Sequence, residues 1–187
     1  MPVRPGTAEK IEFEYERHGT LCLTANFVVA TGRVEEATIA ETRTEPEFAA
    51  HIGRTIDTDP DASWIFVVDQ LNTHQSEALV CLIARRCGID DDLGIKGKSG
   101  ILETMPTRAA FLENPEHRIR FIYTPKHCSW LNQVEIWFSI LVRRLLKRGS
   151  FTSREHLRQR LLAFIDYFNA VLAKPFKWTY TGKVLEA

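Results

Sequence analysis

The sequence has no stretch approaching the roughly 18 consecutive apolar residues that a membrane-spanning helix requires. Its opening, MPVRPGTAEK, lacks the apolar core of a secretory signal, so a cytoplasmic protein without a membrane partner is expected. Cysteine is scarce: Cys22, Cys81, Cys87 and Cys128 include no CxxC pair, which argues against a disulfide framework and for reduced thiols. Cys128 follows His127, but no cluster of Cys and His at short spacing accompanies it, so no zinc site is read. Net charge is absent as well, at +0, which removes a uniformly basic or acidic protein from consideration.

What is present is an ordinary globular composition, 44% hydrophobic and 26% charged, over 187 residues, enough for one domain with its own core. The charges are segregated. Between Glu35 and Asp61, the acids Glu35, Glu36, Glu41, Glu45, Glu47, Asp57, Asp59 and Asp61 face only Arg43 and Arg54. Between Arg143 and Arg160 the balance reverses, with Arg143, Arg144, Lys147, Arg148, Arg154, Arg158 and Arg160 against Glu155. Such asymmetry suits a polyanionic partner, although on charge alone a solvated helix face is the preferred reading.

The hydrophobic pattern divides the chain. Ile11, Phe13 and Tyr15 alternate, Gly19 turns the chain into Leu21–Val29, and Thr31-Gly32 turns it again into Val34–Ile39, the pattern of an antiparallel meander. A helix follows Thr44, with Pro46 in its first turn and Phe48, Ile52 and Ile56 on one face. The run SWIFVVD, Ser63 to Asp69, reads as a strand buried on both faces. A helix over Ser76–Cys87 ends at Gly88, DDDLGIKGKSG is an exposed loop, and Arg118–Thr124 is a strand stopped by Pro125. Trp130–Arg148 reads as one long helix, capped by Ser129 and closed by Gly149, with Leu131, Val134, Trp137, Phe138, Leu141, Val142 and Leu145 making a broad apolar face. Thr152 and Glu155 form a capping box for a last helix that turns Leu157, Leu161, Phe164, Ile165 and Phe168 inward. Strands first, then strand–helix alternation, then two helices imply a layered α/β fold.

Two carboxylates stand out by position. Asp69 closes the most apolar strand, at the carboxyl edge where α/β sheets assemble ligand sites; a turn or helix-cap role is the ordinary alternative. Glu135 belongs to a polar stripe, Asn132, Glu135, Ser139 and Arg143, beside the apolar face of the long helix; an exposed, weakly paired glutamate is the ordinary alternative. Asn72 and His74 follow Asp69 and can orient a substrate or cap the next helix.

The blocks VVDQLNTH, YTPKHCSWLNQVEIWFSIL, RRLLKRGSFTS and AKPFKWTYTGK, preceded by YERHGT and ATG, resemble consecutive blocks of the insertion-sequence 630 family, a bacterial branch of the mariner superfamily of transposases. That resemblance implies a ribonuclease-H-like fold and a DDE triad that holds two divalent ions, Mg²⁺ or Mn²⁺. Asp69 matches the second acid and Glu135 the third, with Asn72, His74 and Asn132 in support. Hard divalent cations take oxygen ligands, and paired ions suit in-line phosphodiester displacement. The resemblance further implies DNA as partner, both transposon ends and target, a homodimer in the active complex, and a nucleoid-associated location. Arg143, Arg144, Lys147 and Arg148 would contact DNA phosphates.

Two departures shape the expectation. Gln70 stands where the family has Asn, and nothing before Glu12 is an Asp on a strand. Glu9, Glu12, Glu14 and Glu16 do not match the first-acid block. The sequence is therefore read as a single catalytic-core domain over residues 1–187 that is N-terminally truncated. It lacks the first strand, the first acid and the helix-turn-helix region, and is inactive alone. The rivals are a metal nuclease of the same fold with an unrecognised acid, and a non-catalytic DNA-binding or transposition-modulating fragment.

Overall fold

A computed structural model describes residues 18–126 and 128–177. Strands β1 (Cys22–Val28) and β2 (Arg33–Ala40) pair antiparallel, with an irregularity between Asn26 and Phe27. The turn between them depends on Gly32, at φ +71°; a Cβ there would stand 1.9 Å from the Lys174 carbonyl oxygen, so the left-handed turn also lets the C-terminal chain pass close by. The alternation read in Ile11, Phe13 and Tyr15 lies outside the described residues.

Helix α1 (Glu45–Thr58) begins as its sequence implies: the Thr44 side chain accepts from the Glu47 N–H, and the Glu47 carboxylate accepts from the Thr44 N–H. Ile52 and Ile56 are fully buried from this helix. Helix α2 (Glu77–Cys87) is capped by the Ser76 hydroxyl and stopped by Gly88 in the left-handed conformation, φ +68°. Between them, β3 (Trp64–Val68) pairs in parallel with β4 (Ile119–Tyr123), which brings Phe66 opposite Phe121 with ring centroids 5.2 Å apart.

Helix α3 (Met105–Glu113) was not expected. Its apolar periodicity is weak, since only Arg108 and Leu112 are buried, but Thr104 and Thr107 cap each other reciprocally and proline stands in the first turn. Those capping residues were the available signal.

The long helix expected from Trp130 to Arg148 is three pieces: a 3₁₀ turn at Ser129–Leu131, helix α4 (Val134–Leu141) and a π-helical turn at Val142–Leu146. Ser129 therefore opens a separate turn, and it is Asn132 Oδ1 that accepts from the Val134 N–H, at 3.3 Å. Gly149 does close the segment, its N–H donating to the Leu146 carbonyl at 3.2 Å. Helix α5 (Arg154–Tyr167) continues into a π-helical turn at Phe168–Leu172. Its cap is Ser153 rather than Thr152: the Ser153 side chain accepts from His156 N–H, while Glu155, one residue too early for the reciprocal bond, pairs with Gln159 at 3.2 Å.

Two apolar clusters result. One gathers Ile52, Ile56, Phe66, Val68, Leu79, Val80, Ile83, Leu112, Ile119 and Phe121 from α1–α3, β3 and β4. The other joins β2 to α4 and α5 through Val34, Ile39, Trp137, Leu141, Leu161, Phe164 and Phe168, with Leu23, Ala25 and Phe27 of β1 packed against them. The molecule is thus α/β, with one antiparallel and one parallel pair of strands and five α-helices among the described residues. No described helix is long and apolar enough to cross a membrane.

The expectation that Ser63–Asp69 is buried on both faces is wrong. Phe66 and Val68 are buried, but Ile65 and Val67 are 53% and 45% exposed, and Ile122 on β4 is 43% exposed. Helices α1, α2 and α3 cover one face of the parallel pair. Among the described residues the other face is open, although its residues are as apolar as those of a covered one.

Candidate functional site

The parallel ladder fixes which way β3 turns its backbone. The Trp64 N–H donates to Arg118 O, and the Thr124 N–H donates to Val68 O, both at 2.9 Å. Trp64, Phe66 and Val68 therefore address β4, and Ile65 and Val67, by the two-residue period, address the opposite edge. On that edge the Val67 carbonyl accepts from Asn132 Nδ2 at 3.2 Å. One bond thus ties the start of α4 to the end of β3, two residues before Asp69.

Asp69 leaves the strand with half of its side chain exposed, at 48%. Its Oδ1 accepts from the Leu71 N–H at 3.1 Å and lies 2.8 Å from His74 Nδ1, which is also 3.1 Å from the Asp69 carbonyl oxygen. The His74 ring packs on Phe48 with centroids 4.3 Å apart. Burial lowers the pKa of His74; hydrogen bonds and charge from Asp69 oppose that shift but are outweighed. The ring is therefore neutral at pH 7, and its Nδ1–H is the natural donor to the carboxylate. These contacts occupy Oδ1 and hold the carboxylate in one orientation.

The loop that presents Asp69 is braced from three sides. The Tyr123 hydroxyl donates to His74 O at 2.8 Å, and burial, with Glu113 adding to it, raises its pKa so that it stays protonated. Gln70 Nε2 donates to Thr124 O at 3.1 Å, a use of the longer side chain that spans to the residue following β4. Buried Arg108 donates from Nε to Gln75 O at 2.7 Å and from Nη1 to Leu102 O at 2.9 Å. Arg108 and Tyr123 were missed in the sequence, because a lone Arg in an unassigned helix and a Tyr in a strand carry no local signal. Asn72 opens the 3₁₀ turn of Asn72–Gln75 and is exposed.

Glu135 sits in the first turn of α4 and is exposed. Its N–H donates to Asn132 O at 3.0 Å, so the glutamate follows by three residues the asparagine that reaches β3. Among the described residues, no group of three or more His, Cys, Asp or Glu side chains is arranged to hold a metal ion. Glu9, Glu12, Glu14 and Glu16 lie outside them. Arg143, Arg144, Lys147 and Arg148 are all exposed, and none forms an ion pair among the described residues.

The sequence matches the family described as DDE superfamily endonuclease over residues 1–158, a span that takes in Asp69, the bracing loop and Glu135. The chain belongs to that family. Neither a curated protein nor a solved structure matches it. Membership gives this DDE endonuclease domain a nuclease or transposase character and DNA as the expected class of substrate. The four cysteines are free thiols in the domain.

Proposed function

We propose that this chain is the catalytic-core part of an insertion-sequence transposase of the 630 family, with a ribonuclease-H-like arrangement in which Asp69 and Glu135 act as the second and third acids of a DDE triad. The observation that carries this reading is the Asn132–Val67 bond, which brings the helix of Glu135 to the strand edge from which Asp69 emerges. The donor set fits a hard divalent cation. Asp69 keeps Oδ2 apart from the contacts of Oδ1 and is half exposed, and Glu135 is exposed. Asp69 and Glu135 would hold Mg²⁺ or Mn²⁺. The chemistry such ions supply is activation of a water or 3′-hydroxyl and charge stabilisation at the leaving oxygen of an in-line displacement.

In this reading His74 orients Asp69, and Asn132 fixes the approach of α4. The first acid would come from a further strand that is not among the described residues. The active assembly is a homodimer on DNA, associated with the bacterial nucleoid in the cytoplasm. The test is Mn²⁺ binding to the isolated chain. Asp69→Ala and Glu135→Ala are each expected to weaken it at least about tenfold, the loss of one charged ligand being worth 1.4 kcal/mol or more. Weakening by Asp69→Ala with no change in Glu135→Ala would separate the two carboxylates and end this assignment.

The exposed cations favour a second reading, a non-catalytic DNA-binding fragment. Arg143, Arg144, Lys147 and Arg148 stand in and after the π-helical turn that follows α4, without carboxylate partners among the described residues. Phosphate contacts there give affinity without sequence preference. Replacing Arg143 and Arg144 with Ala is expected to lower the slope of log affinity against log salt by about two, one for each phosphate released. Both readings share this result, and metal-dependent cleavage separates them. An unchanged slope would leave these residues as a solvated face.

A further inference from the structure

A shallow groove runs between the end of α4 and the middle of α5. It is lined by Arg144, Leu145, Arg160, Ala163, Phe164 and Tyr167. The last four lie at steps of three, one and three along α5, so they share one helix face. Leu145 and Phe164 are buried and form its apolar floor. The Tyr167 ring is 46% exposed above that floor, and Arg144 and Arg160 are exposed. Neither arginine forms an ion pair among the described residues, and no acidic side chain lines the groove.

The three features narrow the ligand. Two unpaired guanidiniums call for an anion that accepts several hydrogen bonds, and phosphate is the usual match for their planar donor forks. An exposed aromatic ring over an apolar floor calls for a flat apolar group. A nucleotide offers both at the right scale. A base within a duplex keeps its faces stacked on its neighbours, so a ring that is to receive one requires an unpaired base.

We infer that this groove binds an unpaired stretch of DNA strand, with phosphates at Arg144 and Arg160 and a base stacked on Tyr167. The inference rests on the DNA-binding reading above and does not depend on the metal site.

The experiment is fluorescence anisotropy on the full chain in EDTA, with a labelled 15-nucleotide oligothymidylate, the matching duplex, and an oligonucleotide of abasic sites. No metal enters, so the outcome is independent of Asp69 and Glu135. Tyr167→Ala is expected to weaken oligothymidylate binding by about 5- to 150-fold, the range for losing one stacked base, with an unchanged salt slope. Tyr167→Phe keeps the ring and should bind as the parent does. Arg160→Ala should lower the salt slope by about one on all three probes. The abasic probe should be blind to Tyr167→Ala. Equal loss on the abasic probe, or no loss on oligothymidylate, would overturn the stacking role. Sedimentation of the parent and Tyr167→Ala guards against the other occupant: a dimer that becomes monomeric on substitution would make the groove a contact between copies of the chain and sink the proposal. Circular dichroism on each variant confirms that helix content is kept.

Discussion

Fusing a segment that carries a strand ending in an acid pair to the N-terminus of the chain is expected to raise its cleavage of DNA in Mg²⁺ or Mn²⁺. On the fused protein, Asp69→Ala or Glu135→Ala should lower cleavage by about a thousandfold or more, since metal-assisted stabilisation of the reacting phosphoryl group is worth several kcal/mol. The open edge of β3 motivates this result. Ile65 and Val67 direct their backbone groups away from β4, and on that edge the Val67 carbonyl is taken by Asn132. A parallel strand added there, about 4.8 Å away, would pair with the Ile65 backbone groups and end short of the Val67 carbonyl that Asn132 holds. The same strand would pair the exposed backbone edge, which otherwise invites aggregation. Cleavage is to be measured on labelled duplex with both proteins at matched concentration. Efficient metal-dependent cleavage by the shorter chain, abolished by Asp69→Ala, would show that its own residues complete the site.

Acid is expected to destabilise the fold through His51. This residue is fully buried between α1 and β2, where Nδ1 lies 2.8 Å from Thr38 Oγ1 and Nε2 has no partner. Arg54, which bonds Thr38 and reaches Glu36 Oε1 at 2.8 Å, stands close by. Burial first, and the Arg54 charge second, push the imidazole pKa down to about 4. The unfolded chain takes up a proton near pH 6.5 that the folded chain refuses until near pH 4. Stability from this residue is therefore complete above 6.5 and lost as pH falls toward 4. The total comes to about 3 kcal/mol, of which about 2 kcal/mol is gone by pH 5. His74, also shifted down, acts in the same sense. Urea unfolding at pH 7.5 and pH 5 checks the point: the parent should lose about 2 kcal/mol more than His51→Gln between the two. Parallel losses in both proteins would place the acid sensitivity elsewhere.

The residues that encode local geometry were legible without coordinates. The start of α1 after Thr44, the extent of α2 from Ser76 to its Gly88 end, and the Gly32 turn each depend on a few residues, so their signals are contiguous in sequence. The spacing of Ile52 with Ile56, and of Leu161 with Phe164, Ile165 and Phe168, likewise gave the inward faces of α1 and α5. Errors arose where two local signals competed. Thr152 and Ser153 can each cap α5, and only the Ser153 position leaves His156 N–H in reach. Trp130–Arg148 satisfies one long apolar stripe, yet the chain breaks before Val134, where Asn132 turns its amide onto β3 and its Oδ1 onto the Val134 N–H.

Sequence alone determined the candidate acids, Asp69 and Glu135, and the chain's resemblance to the transposases, because a run such as SWLNQVE is specific as a string whatever the chain does around it. Tertiary structure decided what surrounds those acids. His74 on Asp69, Tyr123 and Arg108 on the loop, and Asn132 on Val67 are contacts between residues far apart in sequence or hidden in an unremarkable helix, and no periodicity encodes them. It also decided that β3 keeps an open apolar face. A run such as WIFVV reports that a strand is suited to burial on both sides, whereas the burial itself depends on which elements pack against it.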